Sequence, residues 1–324
     1  MMRVMLFILV FGAISNPLAA QILISGKVFS AQDQQPIAYV NIGIVKTDVG
    51  TISNEDGSFS IKIPQQYAKE RLLMSALGYE RIHLSIDSVK SFNNITVYFK
   101  ETVSQLNTVT ITGRRFGGKY EFGNEISEGG SIYADTVTAG SAMALLIENM
   151  TYPKFEFPAY VEHASLRIAK NTFKNFKVRI RFYSVDSLTG LPGKDLLNKS
   201  IVKNSYLKQG WLKINLEEYN ILVTGPFYLA FEWILDKKDR AYLHQQYVGW
   251  RQRHPDLVTV DHSVVEGNEI SYMNYNGNFW AGTSFGIAVS SETLKQFKCY
   301  YRFSSFGEWI RGGSILAATV TLSN

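Results

Sequence analysis

Apolar and polar residues alternate over much of the chain after residue 20. In the first such segment Ile22, Ile24 and Val28 lie on one side of a two-residue repeat. This repeat is typical of a β-strand, and turns rich in Gly, Pro, Asn and Asp separate the segments that show it. The other segments of this kind are residues 38–44, 58–63, 72–76, 81–86 and 95–99. Six or seven short strands without a helical period predict a small β-sandwich over residues 21–100.

Strand patterns return in residues 136–324, and the clearest is residues 177–183. Its apolar positions, Val178, Ile180 and Phe182, predict an inward face. The alternate positions predict an outward basic face, which consists of Lys177, Arg179 and Arg181. Residues 275–278 carry a two-residue hairpin signal, and the only helical candidate is Ser141–Glu148. The many short strands predict a second, jelly-roll-like β-sandwich.

The first 20 residues have the order of a secretory signal peptide. Arg3 supplies a positive charge, an apolar run of 11 residues follows from Val4 to Ile14, and Ala20 is a small residue at the predicted cleavage position. Ala19 is an alternative end. Eleven residues are too few to span a bilayer, and no later segment is long enough, so we expect a mature chain without a transmembrane helix. The predicted location is the periplasm, the outer-membrane surface or the medium.

Composition narrows the class of protein further. Of 324 residues, 46% are hydrophobic and 19% are charged, which is typical of a folded domain and not of a disordered chain. The single cysteine, Cys299, excludes an intramolecular disulfide and is predicted to be a buried, inert thiol. The chain contains no HExxH, HxxE or GxxxxGK[ST] motif. We therefore predict no enzymatic activity, no cofactor and no metal.

Five spaced pieces of the first domain carry a family resemblance. They are Gly26-x-Val28, the run from Pro36 to Ile42, Gly50-Thr51, Asn54-x-x-Gly57-x-Phe59 and Ser75-x-x-Gly78-Tyr79. Residues 21–100 resemble the carboxypeptidase regulatory-like domain, a transthyretin-type sandwich of seven strands. The resemblance implies a non-catalytic domain in an exported envelope protein of a Gram-negative bacterium. The predicted fold class is all-β, a transthyretin-like sandwich followed by a jelly-roll-like one.

Residues 101–135 are predicted to connect the two domains. Leu106–Gly113 resembles the segment that follows such a domain in TonB-dependent outer-membrane receptors, although a last strand of the first domain fits the same residues. A barrel of 22 strands needs roughly 220 residues in strands alone, more than the chain has left after Gly113. We therefore do not expect the chain to be a complete receptor of that type. The glycine-rich residues 116–131 are predicted to be a linker or a long loop.

Two groups of residues are candidates for ligand binding. Residues 163–216 contain eleven Lys or Arg and two Asp, whereas the whole chain has a net charge of +5. The basic face there fits an anionic glycan, a lipopolysaccharide phosphate or an acidic partner, or is a solvated strand face. The second group combines aromatic rings that stack on sugars with amides that bond to hydroxyls, unless its rings belong to the core. It consists of Tyr272, Asn274, Asn276 and Trp280.

The sequence favours a non-enzymatic exported module of the cell envelope that binds a glycan or a protein. Nucleic acid is excluded as a partner because the chain is predicted to be exported and has no nucleic-acid-binding motif. One alternative is an accessory of TonB-dependent outer-membrane transport. A second is a glycan-active enzyme, which requires two carboxylates about 5 to 10 Å apart in a cleft. The sequence does not show whether distant acids such as Glu232 and Asp256 meet in this way.

Overall fold

The computed structural model describes residues 21–92, 94–102, 118–128, 130–133, 140–148, 152–257 and 279–324. The predicted signal peptide, the segment Leu106–Gly113 and the predicted hairpin at residues 275–278 lie outside these residues. Among the helices that are described, none has both the length and the apolar composition needed to cross a bilayer.

Within the described residues the first domain has seven strands, as predicted. They form two sheets with the orders β4–β1–β7 and β3–β2–β5–β6, and β1 pairs antiparallel with β4 and parallel with β7. A short helix, α1 (Ile86–Val89), precedes β7. The strands are β1 (Gln21–Ser30), β2 (Asn41–Gly43), β3 (Gly50–Ile52), β4 (Ser58–Pro64), β5 (Arg71–Ser75), β6 (Ile82–Ser85) and β7 (Ile95–Phe99).

The alternation seen in the sequence determines the core of this domain. Ile22, Ile24 and Val28 of β1 are all buried in one apolar cluster with residues of the other sheet. At two positions of the family pattern, steric constraints explain why the residue is glycine. A Cβ at Gly26 would overlap the carbonyl oxygen of Ile95 on the neighbouring β7. Gly57 has φ +74°, a left-handed conformation that favours glycine in the turn before β4.

The described part of the second domain is also built from strands, together with two helices. The helices are α2 (Lys237–Arg253) and α3 (Ser291–Gln296). The strands are β8 (Lys119–Asn124), β9 (Gly130–Tyr133), β10 (Ala142–Ile147), β11 (Ala159–Asn171), β12 (Phe176–Val185), β13 (Pro192–Asp195), β14 (Ile201–Ser205), β15 (Gly210–Asn215), β16 (Leu222–Val223), β17 (Phe227–Ile234), β18 (Thr283–Ala288), β19 (Cys299–Arg302), β20 (Ile310–Arg311), β21 (Ile315–Leu316) and β22 (Ala318–Ser323).

These strands form two sheets around one core, which confirms the predicted all-β sandwich. One sheet has the order β13–β12–β17–β10–β19–β20, with β14 on β12. The other has the order β21–β18–β11–β22–β8, with β15 and β16 on β11 and β9 on β18. Across the core, the rings of Trp233 and Phe285 stack with centroids 3.8 Å apart. The sheets therefore bury their facing sides against each other.

The linker prediction is wrong for residues 119–124 and 130–133. Lys119–Asn124 forms β8, which pairs with β22 over six residues, and Gly130–Tyr133 forms β9, which pairs with β18. Phe122 and Asn124 are buried in this arrangement, whereas Glu121 between them is exposed. The second domain therefore begins before residue 136, with strands whose partners lie up to about 200 residues away in the sequence.

The predicted helix content also differs from the structure in two places. Ser141–Glu148 contains a strand, β10, whose six residues are all buried because β17 and β19 flank it and both of its faces are covered. A strand buried on both faces has a continuous apolar run without alternation. The 17-residue helix α2 was not predicted. Its apolar contacts rest on only three buried positions at helical spacing, Leu243, Tyr247 and Trp250.

Candidate functional site

The basic face predicted on β12 is not exposed to solvent. Arg179 is 1% exposed and Arg181 is 7% exposed, so their predicted outward orientation is wrong. Val178, Ile180 and Phe182 on the other face are fully buried, as predicted. Strand β12 is therefore covered on both faces. Its alternation separates an apolar core from a second buried layer, which is ionic.

Glu232 on β17 is the centre of this ionic layer. Its Oε1 atom accepts a hydrogen bond from Nη1 of Arg179 at 3.0 Å. Its Oε2 atom lies 3.4 Å from Nε of Arg181 and 3.8 Å from Nη2 of Arg302. Burial raises the pKa of the Glu232 carboxyl, but the three arginines outweigh burial and lower it. The carboxylate is therefore charged at neutral pH.

Arg181 and Arg302 each have a further partner in this layer. Nη1 of Arg181 lies 2.6 Å from Asp195, and Nη2 of Arg302 donates to the hydroxyl of Tyr183 at 3.1 Å. The guanidinium of Arg302 also lies 4.6 Å from the ring centroid of Trp309. Lys177, the third residue of the predicted basic face, bonds Asp236 at 2.9 Å and Asp239 at 3.2 Å. These charges are balanced inside the protein.

The first domain is docked on this layer through residues 39–54. Arg179 donates to Oδ1 of Asn41 at 2.7 Å and to the carbonyl oxygen of Tyr39. Around this contact, Ile52 packs against Ile234. Further hydrogen bonds join Lys237 N to Asn54 Oδ1 (2.8 Å), Arg240 Nη2 to Thr51 Oγ1 (3.3 Å), Ser304 Oγ to the Thr47 carbonyl (2.8 Å) and Lys46 N to the Phe306 carbonyl (2.9 Å). We call this set of contacts the domain interface.

The predicted aromatic and amide group is only partly described. Tyr272, Asn274 and Asn276 lie outside the described residues. Trp280 is half-buried, and the ammonium group of Lys170 lies 4.5 Å from its ring centroid. One face of this ring is therefore already in a cation–π contact within the protein.

A cleft of about 370 Å³ lies in the second domain, away from the domain interface. A volume of this size falls in the lower range of small-ligand sites. The continuous run Glu121–Ile126, from β8 and the turn after it, forms one wall. The rest of the lining comes from the end of β10, the end of α3 with the residues after it, and two single residues. These residues are Leu146, Ile147, Glu148, Tyr152, Gln296, Phe297, Lys298 and Thr319.

The lining combines aromatic rings with carboxylates. Phe122 and Tyr152 are in edge-to-face contact with centroids 5.2 Å apart, and Phe297 also lines the cleft. Thr319 Oγ1 donates to Oε1 of Glu121 at 2.7 Å, which fixes the position of that carboxylate. Three of the lining residues are acidic and one, Lys298, is basic. The cleft therefore combines apolar walls with a surplus of negative charge.

Sequence reasoning did not find this cleft. Its acidic residues Glu121 and Glu125 lie in the predicted linker, and Glu148 lies at the end of the predicted helix. The one available signal was the alternation around Tyr120 and Phe122, which is the pattern of a half-buried strand. The fold brings the walls together from four regions of the chain.

In a second acidic cluster the carboxylates are paired with a lysine of the same chain, Lys119. Glu162, His163 and Glu217 lie within 4.8 Å of one another, and Nζ of Lys119 lies 3.3 Å from Glu162 and 3.9 Å from Glu217. Burial raises the pKa of Glu162, but hydrogen bonds with Ser323 and Glu217, and the ammonium group of Lys119, hold it at about 2. This cluster is thus a salt bridge in the structure.

The single thiol is buried, as predicted. Cys299 begins β19 and is 1% exposed. Burial raises the pKa of this thiol to about 12. A thiol is nucleophilic only as the thiolate, so Cys299 does not serve as a nucleophile at neutral pH.

The first domain matches a known protein family. The family model described as the CarboxypepD_reg-like domain matches residues 24–111. No curated protein matches the chain. The matched region extends beyond the predicted boundary at residue 100 and includes all of β2 to β7. The first domain of this chain is therefore a CarboxypepD_reg-like domain.

Proposed function

We propose that the protein is an exported, non-enzymatic binding module of the bacterial cell envelope. The cleft of the second domain carries this proposal, because it combines a ligand-sized volume with aromatic walls and a few charged groups. The signal-peptide pattern of residues 1–20 supports export. The CarboxypepD_reg-like domain supports a place in the envelope, since this sandwich module occurs often in envelope proteins.

The domain interface supports a structural role for the first domain. Its contacts with the second domain include a fully buried charge, Arg179, which bonds Asn41 and the Tyr39 carbonyl. A hydrogen bond to a charged group contributes about 1.5–3 kcal/mol, so such a contact favours one fixed arrangement. In this proposal the first domain holds the second in a defined orientation and leaves its cleft open.

One observation favours a glycan-active enzyme as the second candidate. Three glutamates line the same cleft, and glycoside hydrolysis requires two carboxyl groups on opposite sides of the bond that is cleaved. One of the two must act as an acid, which usually requires withdrawal from water. Glu121 and Glu125 are instead exposed, and Glu148 is only half-buried. This exposure favours binding over catalysis.

A combined screen tests the proposed function. The purified protein is applied to a glycan array and to a phage-displayed library of random dodecapeptides at physiological salt. Each bound glycan is also incubated with the protein and assayed for new reducing ends. We expect binding without hydrolysis. Hydrolysis would establish the enzyme instead, and failure to bind either library would contradict a binding module.

Two matched variants locate the site. Ile126 lines the cleft and is 43% exposed, so Ile126→Arg places a long charged side chain there without changing the core. Leu188 is 94% exposed and does not line the cleft, so Leu188→Arg is the control. We expect Ile126→Arg to abolish binding and Leu188→Arg to preserve it. Loss of binding in Trp280→Ala but not in Ile126→Arg would place the site at the predicted aromatic group instead.

A further inference from the structure

We infer that the ligand of the cleft is an extended peptide segment of a protein partner that carries a lysine or arginine side chain. This inference rests on the proposed function and names the ligand of the same site.

Strand β8 is the terminal strand of its sheet. It pairs with β22 on one side, from Lys119↔Ser323 to Asn124↔Ala318, and no other strand in the described part of the chain pairs with it. A terminal strand presents backbone N–H and C=O groups that an added strand can pair with. An extended peptide has such groups at every residue, whereas a glycan does not. An edge of β8 that no described strand pairs with therefore favours a peptide.

The lining shows that the cleft follows this edge. Successive residues of a strand point to opposite faces of the sheet, yet Glu121, Phe122, Gly123 and Asn124 all line the cleft. A cleft on one face would contact every second residue only. Contact with consecutive residues is expected where a cleft runs along the side of the strand. A peptide in the cleft would thus lie beside β8, where it can continue the sheet.

The charges at the rim of the cleft favour a basic side chain in the bound peptide. Glu121, Glu125 and Glu148 supply three carboxylates, against the single basic residue Lys298. Carboxylates form their strongest hydrogen bonds with ammonium and guanidinium groups. The aliphatic stems of lysine and arginine pack on apolar surface, which Tyr152 and Phe297 provide here. About 370 Å³ admits one or two such side chains and not a folded domain.

Selection from the dodecapeptide library tests this inference. The purified protein is immobilised, and peptides are selected at physiological salt and sequenced. We expect enrichment of Lys or Arg flanked by β-branched or aromatic residues. Selection of neutral or acidic peptides, or of none, would overturn the inference.

Variants then test the two contacts separately. For a selected peptide we expect Glu121→Gln and Glu148→Gln each to weaken binding about 10-fold, since each removes a charge-assisted hydrogen bond. Glu80→Gln, an exposed glutamate of the first domain, is the control and should leave the affinity unchanged. N-methylation of alternate peptide nitrogens should abolish binding if the backbone pairs with β8. Unchanged affinity in both glutamate variants or in the methylated peptide refutes the inference.

The outcomes separate this inference from the proposed function. If glycans bind in the cleft and peptides do not, the inference is wrong and the binding module stands. The same holds if non-basic peptides bind and Ile126→Arg abolishes their binding. If neither library yields a ligand, the proposed function itself is contradicted.

Discussion

A double-mutant cycle between Asn41 and Arg179 tests whether the two domains form one unit. The residues belong to different domains, and their side chains are joined by one hydrogen bond of 2.7 Å in which Arg179 is fully buried. Arg179→Met keeps most of the apolar stem and removes the guanidinium. Asn41→Ala removes the acceptor in the first domain.

The expected costs follow from the partners that each variant leaves behind. Without Arg179, Glu232 still contacts Arg181 and Arg302, but Asn41 Oδ1 and the Tyr39 carbonyl both lose a donor. A buried polar atom without a partner costs about 1–3 kcal/mol, so two of them predict a loss of about 4 kcal/mol in the free energy of unfolding. Asn41→Ala predicts about 2 kcal/mol, because Arg179 keeps its other acceptors.

The coupling between the two sites is the decisive quantity. A hydrogen bond to a charged group contributes about 1.5–3 kcal/mol. We therefore expect the double variant to lose less free energy of unfolding than the two single variants lose together, and the difference should be about that amount. Asn94→Ala, an exposed position of the first domain, is the matched control and should change stability by less than about 0.5 kcal/mol.

Tryptophan fluorescence during urea denaturation provides the assay. All five tryptophans lie at or after Trp211, so the signal reports only the second domain. If the domains unfold together, Asn41→Ala in the first domain will shift this signal to lower urea. A transition that stays in place, or a coupling energy below about 0.5 kcal/mol, would refute the idea of a single unit.

Three further predictions concern other parts of the chain. Expression in a Gram-negative host should yield a purified protein whose intact mass corresponds to a start at Gln21; retention of residues 1–20 would contradict export. Cys299 should not react with a thiol-specific chromogenic reagent in the native protein and should react fully in denaturant, because it is buried and burial raises its pKa to about 12; rapid native labelling would contradict this. The pKa of Glu162 is lowered from 4.5 to about 2, so its stabilising contribution is present above about pH 4.5 and is lost as the pH falls towards 2. Glu162→Gln should therefore be less stable than wild type at pH 7 and approach it at pH 2, and a constant difference measured by thermal unfolding would argue against this cause.

Local pattern was sufficient to predict six of the seven described strands of the first domain, all except β3. In strands such as β1 and β4 one face lies in the core, so alternation and turn residues predict both the strand and its buried positions, such as Ile24 and Phe59. The same pattern on β12 predicted the apolar face correctly and the basic face wrongly. Alternation separates two faces, but it does not reveal what covers the second one. For Arg179 the cover is a different domain.

Elements without one solvent face were harder to predict. Strand β10 is buried throughout, so its run of six apolar residues has no period that would separate strand from helix. Helix α2 has few buried apolar residues, and its start depends on a capping box between Asp236 and Asp239. The cleft depends on pairings between β8 and β22, which local pattern does not encode.

Amide hydrogen exchange with and without the ligand that the screens select tests the central claim most directly. If the cleft is the binding site, protection will increase at residues 121–126 and 146–148, and the domain interface at residues 39–54 will stay unchanged. The increase at residues 121–126 should include alternate amides of β8 that β22 does not pair. Protection confined to residues outside the cleft, or no change in protection with a ligand that binds, would contradict the account.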